Sequence, residues 1–111
     1  MVNITFCNGG GKSPMRLEMK GHAHYGKPGE DVLCSALSIL MHTAAKTVVD
    51  LEQAGQLLEE PTVTLSPGQG YLELVPKPMF AGKALAEIGT VARGLKLLEA
   101  YYPRYVKFTQ C

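Results

Sequence analysis

The sequence has no excess of charge of either sign and no feature typical of a secreted or membrane protein. Its 111 residues include 11 basic and 10 acidic side chains, which gives a net charge of +1. That balance lacks the basic patch by which proteins attract nucleic acids or anionic lipids. The first residues show no basic region followed by an apolar run, and no apolar segment approaches the length needed to span a membrane. We therefore expect a cytoplasmic protein whose partner is neither a nucleic acid nor a membrane.

Paired cysteine motifs are also missing. The three cysteines, Cys7, Cys34 and Cys111, are an odd number in a chain without a secretion signal, so we expect reduced thiols and no disulfide framework. A metal site would have to combine Cys34 with His22 and His24, which point to one side of an extended segment but leave the fourth ligand of a zinc site unfilled. We expect neither a metal nor another cofactor.

Two β-hairpins are predicted by apolar residues that alternate with polar ones on both sides of a turn-forming segment. The turn-forming segments are residues 8–14 and 66–70, both rich in glycine and each containing a proline. The alternating apolar residues are Val2, Ile4 and Phe6, then Met15, Leu17 and Met19, then Val63 and Leu65, then Leu72 and Leu74. Each hairpin should therefore have one apolar face.

Each predicted hairpin is followed by apolar residues at helical spacing. The first set is Leu33, Leu37, Leu40, Ala44, Val48 and Leu51, ending near Gly55; the second is Leu85, Ile88, Ala92, Leu95, Leu98 and Tyr102, closed by Pro103. Gly82, Gly89 and Gly94 weaken the second helix, which favours close packing of another backbone there. Residues 105 to 108 could add a short edge strand. The order β-β-α-β-β-α predicts a single α+β domain over residues 1–111, an antiparallel sheet covered by two helices in two layers.

A glycine-rich loop joins one histidine to one cysteine between the first predicted hairpin and the first helix. His22 follows a strand, and Asp31 is a suitable N-cap that would put Cys34 in the first helical turn. A helix N-terminus and a nearby imidazolium both lower the pKa of a thiol. His22 would stabilise the Cys34 thiolate and then protonate a leaving amine. The pattern favours a cysteine nucleophile with a histidine base.

Further residues near Cys34 suit the same chemistry. Ser38 lies four residues on, on the same helical face, where it could hydrogen-bond the sulfur or a substrate carbonyl. Met41, Ala45 and Val49 extend that flank as either the floor of a substrate groove or a dimer contact. Gly21, Gly26 and Gly29, together with Pro28, suit a lid or substrate clamp. His42 is assigned to a solvated helix face.

Residues 21 to 38 carry a dense composite motif, which reads Gly21-His22-Ala23, Tyr25-Gly26, Gly29-Glu30-Asp31, Val32-Leu33-Cys34 and Ser35-Ala36-Leu37-Ser38. The motif resembles that of the ribosomal-processing cysteine proteases called Prp, with Ser35 standing where the family has alanine. The resemblance implies a cytoplasmic, homodimeric cysteine endopeptidase that removes the N-terminal extension of large-subunit ribosomal protein twenty-seven. By matching position His22 is the base and Cys34 the nucleophile, with Asp31 and Ser38 in support and a substrate loop that includes Gly21, Tyr25, Gly26 and Gly29.

Two other kinds of function remain open at this point. The chain could be a non-enzymatic ribosome-assembly or protein-binding module in which Cys34 is a structural residue, because a cysteine early in an amphipathic helix is often a small buried apolar residue. It could also be another thiol enzyme. The lack of a resolving cysteine near Cys34 argues against redox chemistry, and the lack of an acyl-carrier motif leaves a thioesterase unsupported.

Overall fold

The computed structural model describes residues 1–10, 13–21 and 32–111, which form one five-stranded sheet and two long helices. In chain order the elements are β1 (Val2–Cys7), β2 (Met15–Lys20), α1 (Val32–Gln53), β3 (Thr62–Ser66), β4 (Gln69–Leu74), a short 3-10 helix (Pro78–Phe80), α2 (Ala81–Tyr101) and β5 (Val106–Gln110). The predicted α+β fold, a sheet covered by two helices, is confirmed.

The order of strands across the sheet is β3-β4-β2-β1-β5. The β1/β2, β2/β4 and β3/β4 pairs are antiparallel, as predicted for two hairpins. The predicted edge strand forms over residues 106–110 and pairs with β1 in parallel, Val2 opposite Val106. This direction follows from the connection, because α2 runs antiparallel to β4 and so returns the chain to the end of the sheet where β1 begins.

The core lies between one face of the sheet and the two helices. Alternate strand residues point into it, among them Leu17 and Leu72, which are completely buried. The buried face of α2 is formed by Ala84, Ile88, Gly89, Val91, Ala92 and Leu95. Leu85, predicted on this face, is 38% exposed because it lies one residue, and therefore about 100° around the helix, from Ala84.

Of the three glycines in α2, Gly94 alone has a close neighbour among the described residues, and the predicted backbone contact is wrong there too. A Cβ atom there would lie 3.2 Å from Cδ2 of Leu40, so the neighbour is a side chain of α1 rather than a backbone. At Gly82 and Gly89 a Cβ atom would meet no heavy atom of the described residues within 4 Å. The prediction of close packing is therefore wrong for these two glycines.

The helix α1 is long and apolar enough to cross a membrane by length and composition alone. This corrects the expectation that no apolar segment approaches that length. Its buried residues belong to the core of the domain: Leu33, Leu37, Met41, Ala44, Ala45, Val48 and Leu51. Packing inside the protein thus accounts for its apolar face, as in other core helices.

The expectation that all three cysteines are reduced thiols is wrong for two of them. Cys7 at the end of β1 and Cys111 just after β5 form a disulfide, with their Cα atoms 4.6 Å apart. The Cys111 backbone N–H also donates to the carbonyl oxygen of Phe6 at 2.9 Å, which continues the pairing of the two strands. Counting cysteines could not reveal this pair, because its members are 104 residues apart and meet only when β5 docks beside β1.

We predict that Cys7→Ser lowers the free energy of unfolding by about 2 to 4 kcal/mol in the absence of reductant, because a disulfide closing so long a loop restricts the unfolded chain. With dithiothreitol present, the variant and the wild type should have the same urea midpoint. Cys34→Ala is the control, since its difference from wild type should not depend on reductant. A Cys7→Ser difference that is also independent of reductant would contradict the disulfide.

Candidate active site

Cys34 is the third residue of α1 and is half-buried beside the core cluster. The first residues of a helix carry backbone N–H groups that have no acceptor one turn earlier within the helix. The sulfur is therefore attached at the end of α1 where anions are favoured. This is the position predicted for the nucleophile. The predicted N-cap, Asp31, lies outside the described residues.

An apolar groove of about 350 Å³ opens beside Cys34. One wall is a two-turn stretch of α1 that contributes Cys34, Leu37, Ser38, Met41 and His42. The opposite wall is the β3–β4 turn, with Leu65, Ser66, Pro67 and Gln69, and the ends of β1 and β2 close the groove with Val2, Met19 and Gly21. The groove thus begins at the thiol and follows the helix away from it.

The floor of the groove depends on a close contact between Met41 and β4. Met41 is 1% exposed, and a Cβ atom on Gly70 would lie 2.7 Å from its Cε. Glycine at position 70 therefore leaves the space that the Met41 side chain fills. Of the two uses predicted for this flank of α1, a groove floor accounts for Met41, whereas Ala45 and Val49 are absent from the lining.

Cys34, Ser38 and His42 follow one another at intervals of four residues along one face of α1. Ser38 and His42 are exposed, and His42 Nδ1 lies 2.8 Å from the carbonyl oxygen of Ser38. The hydroxyl oxygen of Ser38 is 3.5 Å from the same nitrogen. His42 is solvated, as predicted, but its place in the groove was missed, although its spacing of eight residues from Cys34 indicated the shared face.

Gly21 joins the end of β2 to the groove. Its N–H donates to the carbonyl oxygen of Gly68 in the β3–β4 turn at 2.9 Å, and its φ of +108° is one that L side chains rarely adopt. A Cβ atom there would overlap the backbone carbonyl oxygen of Met1. The backbone immediately before His22 is therefore held against a wall of the groove.

The predicted site residues divide into those that line the groove and those that lie outside the described residues. His22, Tyr25, Gly26, Gly29 and Asp31 lie outside the described residues, whereas Cys34, Ser38 and Gly21 line one groove. His24, weighed as a metal ligand, also lies outside them. Within residues 1–10, 13–21 and 32–111, no group of three or more histidine, cysteine or acidic side chains could hold a metal ion.

The opposite face of the sheet is polar and carries a separate hydrogen bond. The Tyr71 hydroxyl donates to the Glu73 carboxylate. This bond, then burial and the carboxylate charge, raise the pKa of the Tyr71 phenol above its ordinary value. Since Gly70 and Leu72 face the core, Tyr71 points away from the groove and takes no part in it.

The comparison with family models gives a match over nearly the whole chain. The family model described as cysteine protease Prp matches residues 1–107. A search among curated proteins gives no match.

Among solved structures, the fold is similar to that of the essential ribosomal processing protease Prp from S. aureus. With a covalently linked product peptide, that protein aligns with a TM-score of 0.72 and 17% identity, over 100% of both chains. With a substrate peptide, the TM-score is 0.67 and the identity 16%, again over 100% of both chains. SMU.848 from Streptococcus mutans aligns with a TM-score of 0.62 and 23% identity, over 99% of this chain and 93% of that one.

We predict that Gly21→Ala destabilises the protein by at least 1 to 2 kcal/mol, because a Cβ atom at this φ is strained and would overlap the backbone of Met1. Gly89→Ala is the matched control. It lies inside α2, where a Cβ atom meets no described atom, so it should leave stability unchanged or raise it by up to about 1 kcal/mol. Urea unfolding compares the two, and equal effects would contradict the role of Gly21.

Proposed function

This chain belongs to the cysteine protease Prp family, and on that premise we propose that Cys34 is its nucleophile and His22 its base. The observation that carries the proposal is the position of Cys34, in the first turn of α1 and at the mouth of an apolar groove. Family membership makes the chain a cysteine protease rather than the non-enzymatic module weighed from the sequence.

In the proposed reaction the Cys34 thiolate attacks the carbonyl carbon of the scissile bond. His22, as imidazolium, gives its proton to the departing amine nitrogen, and water then hydrolyses the thioester and restores the thiolate. The backbone N–H of Cys34 is a suitable donor to the oxyanion. The position of Gly21 supports His22 as the base, because the residue directly before it lines the same groove as Cys34.

Ser38 has a supporting part in this proposal. The His42 ring nitrogen Nδ1 donates its proton to the Ser38 carbonyl oxygen and therefore accepts no hydrogen bond from the Ser38 hydroxyl. The hydroxyl proton of Ser38 is thus not used by His42. One helical turn separates Ser38 from Cys34. The hydroxyl can therefore donate to the sulfur or to a substrate carbonyl in the groove, but it forms and breaks no covalent bond.

We propose the N-terminal extension of large-subunit ribosomal protein twenty-seven as the substrate and the cytoplasm as the location. The motif over residues 21 to 38 supports this substrate, as does the likeness to a ribosomal processing protease. The apolar groove suits an extended peptide.

A homodimer is part of the same proposal. Val32 and Ile39, on α1 near Cys34, are 66% and 63% exposed. Apolar side chains of this size on one helix face provide a surface that a second copy could cover.

We predict that Cys34→Ala and His22→Ala each abolish removal of the extension, because the first removes the attacking atom and the second the proton donor. The assay follows the size of the extended ribosomal protein, with the same protein lacking the extension as the uncleavable control. Circular dichroism should show an unchanged fold. Substantial turnover by Cys34→Ala would overturn the proposed nucleophile.

We predict that Ser38→Ala lowers kcat/KM roughly twofold to tenfold, the value of one lost hydrogen bond, without abolishing turnover. Ser35→Ala is the matched control, since Ser35 is also an exposed serine next to Cys34 but is absent from the groove. Its kcat/KM should stay at the wild-type value. Equal effects of the two substitutions would contradict a supporting role of Ser38 in the reaction.

A further inference from the structure

We propose that His42 is a specificity-determining residue, which recognises the substrate side chain three or four residues from the scissile bond and favours an uncharged side chain that donates a hydrogen bond. This inference rests on the proposed function, because it assumes that the peptide is cleaved at Cys34. It goes beyond that function in naming what the far end of the groove selects.

The distance from Cys34 to His42 determines which substrate position is recognised. Eight residues of helix rise about 12 Å, and both residues line the same groove. An extended peptide advances about 3.3 Å per residue. A peptide that lies along α1 with its scissile bond at Cys34 therefore passes His42 with its third or fourth residue.

The hydrogen bond between His42 and Ser38 determines whether His42 presents a donor or an acceptor to this third or fourth substrate residue. Its Nδ1 lies 2.8 Å from the Ser38 carbonyl oxygen, which can only accept, so Nδ1 carries a proton. In the neutral imidazole the other nitrogen, Nε2, is then an acceptor. Because the bond to Ser38 also orients the exposed ring, Nε2 is held ready for a hydroxyl or amide donor.

The surroundings of His42 argue against a charged substrate side chain. The described residues that line the groove include no lysine, arginine, aspartate or glutamate, and its polar lining consists of Ser38, His42, Ser66 and Gln69. Lys46, one turn beyond His42, pairs with Asp50 at 2.7 Å. A charged side chain would gain no opposite charge from these described residues, whereas serine, threonine or asparagine would gain a hydrogen bond with His42.

The test compares cleavable peptides that carry serine or alanine at the third or fourth position on either side of the scissile bond. At one of these positions the wild type should cleave the serine peptide with a kcat/KM roughly three to ten times higher, mainly through a lower KM. His42→Phe keeps an aromatic ring without an acceptor and should lose this preference. His42→Gln keeps an acceptor oxygen and should retain part of it.

Thr43→Val is the control, because Thr43 lies next to His42 on α1 but is absent from the groove, and it should keep the full preference for serine. Circular dichroism of each variant checks the fold. If the wild type cleaves both peptides equally at all four positions, or if His42→Phe keeps the wild-type preference, the role of His42 is overturned while the protease function stands. If the wild type cleaves no peptide, the proposed function fails with it.

Discussion

The packing of α1 against the sheet is the constraint on which the candidate site depends. Leu33, Leu37 and Met41 are almost completely buried in the core. Each is followed directly by a groove residue, respectively Cys34, Ser38 and His42. Neighbouring residues differ by about 100° around a helix, so burying the first set turns the second toward the groove at the edge of the core. The apolar contacts that stabilise the domain therefore also orient the thiol.

The wall opposite α1 is held by backbone rather than by side chains. The N–H of Gly21 donates to the carbonyl oxygen of Gly68, and Gly70 admits the Met41 side chain to the floor. At Gly21 a Cβ atom would overlap the Met1 backbone at a strained φ, whereas at Gly70 it would displace the end of the Met41 side chain. The end of β2, the β3–β4 turn and α1 are thereby held at distances that leave a groove open.

The proposed reaction and the proposed recognition of the substrate take place at different positions along α1, and the reason is helix geometry. The helix dipole favours negative charge near the first turn, so in our proposals the thiolate and the oxyanion are stabilised there, at Cys34. Further along, the backbone groups are used within the helix and side chains alone can contact a substrate. In our proposals Ser38 assists the reaction and His42 recognises a substrate side chain. Their order along α1 follows from this difference between the first turn and the rest of the helix.

Local patterns in the sequence were enough to predict the two hairpins, the two helices and the position of Cys34 in a first helical turn, because strand and helix periodicities and turn residues act over a few neighbours. The positions of His22 and Asp31 stay predictions. The parallel docking of β5, the Cys7–Cys111 disulfide and the place of His42 in the groove were decided by tertiary structure. Each of them joins segments that are distant in the chain, and only the packing of the helices and strands into one core determines which segments meet.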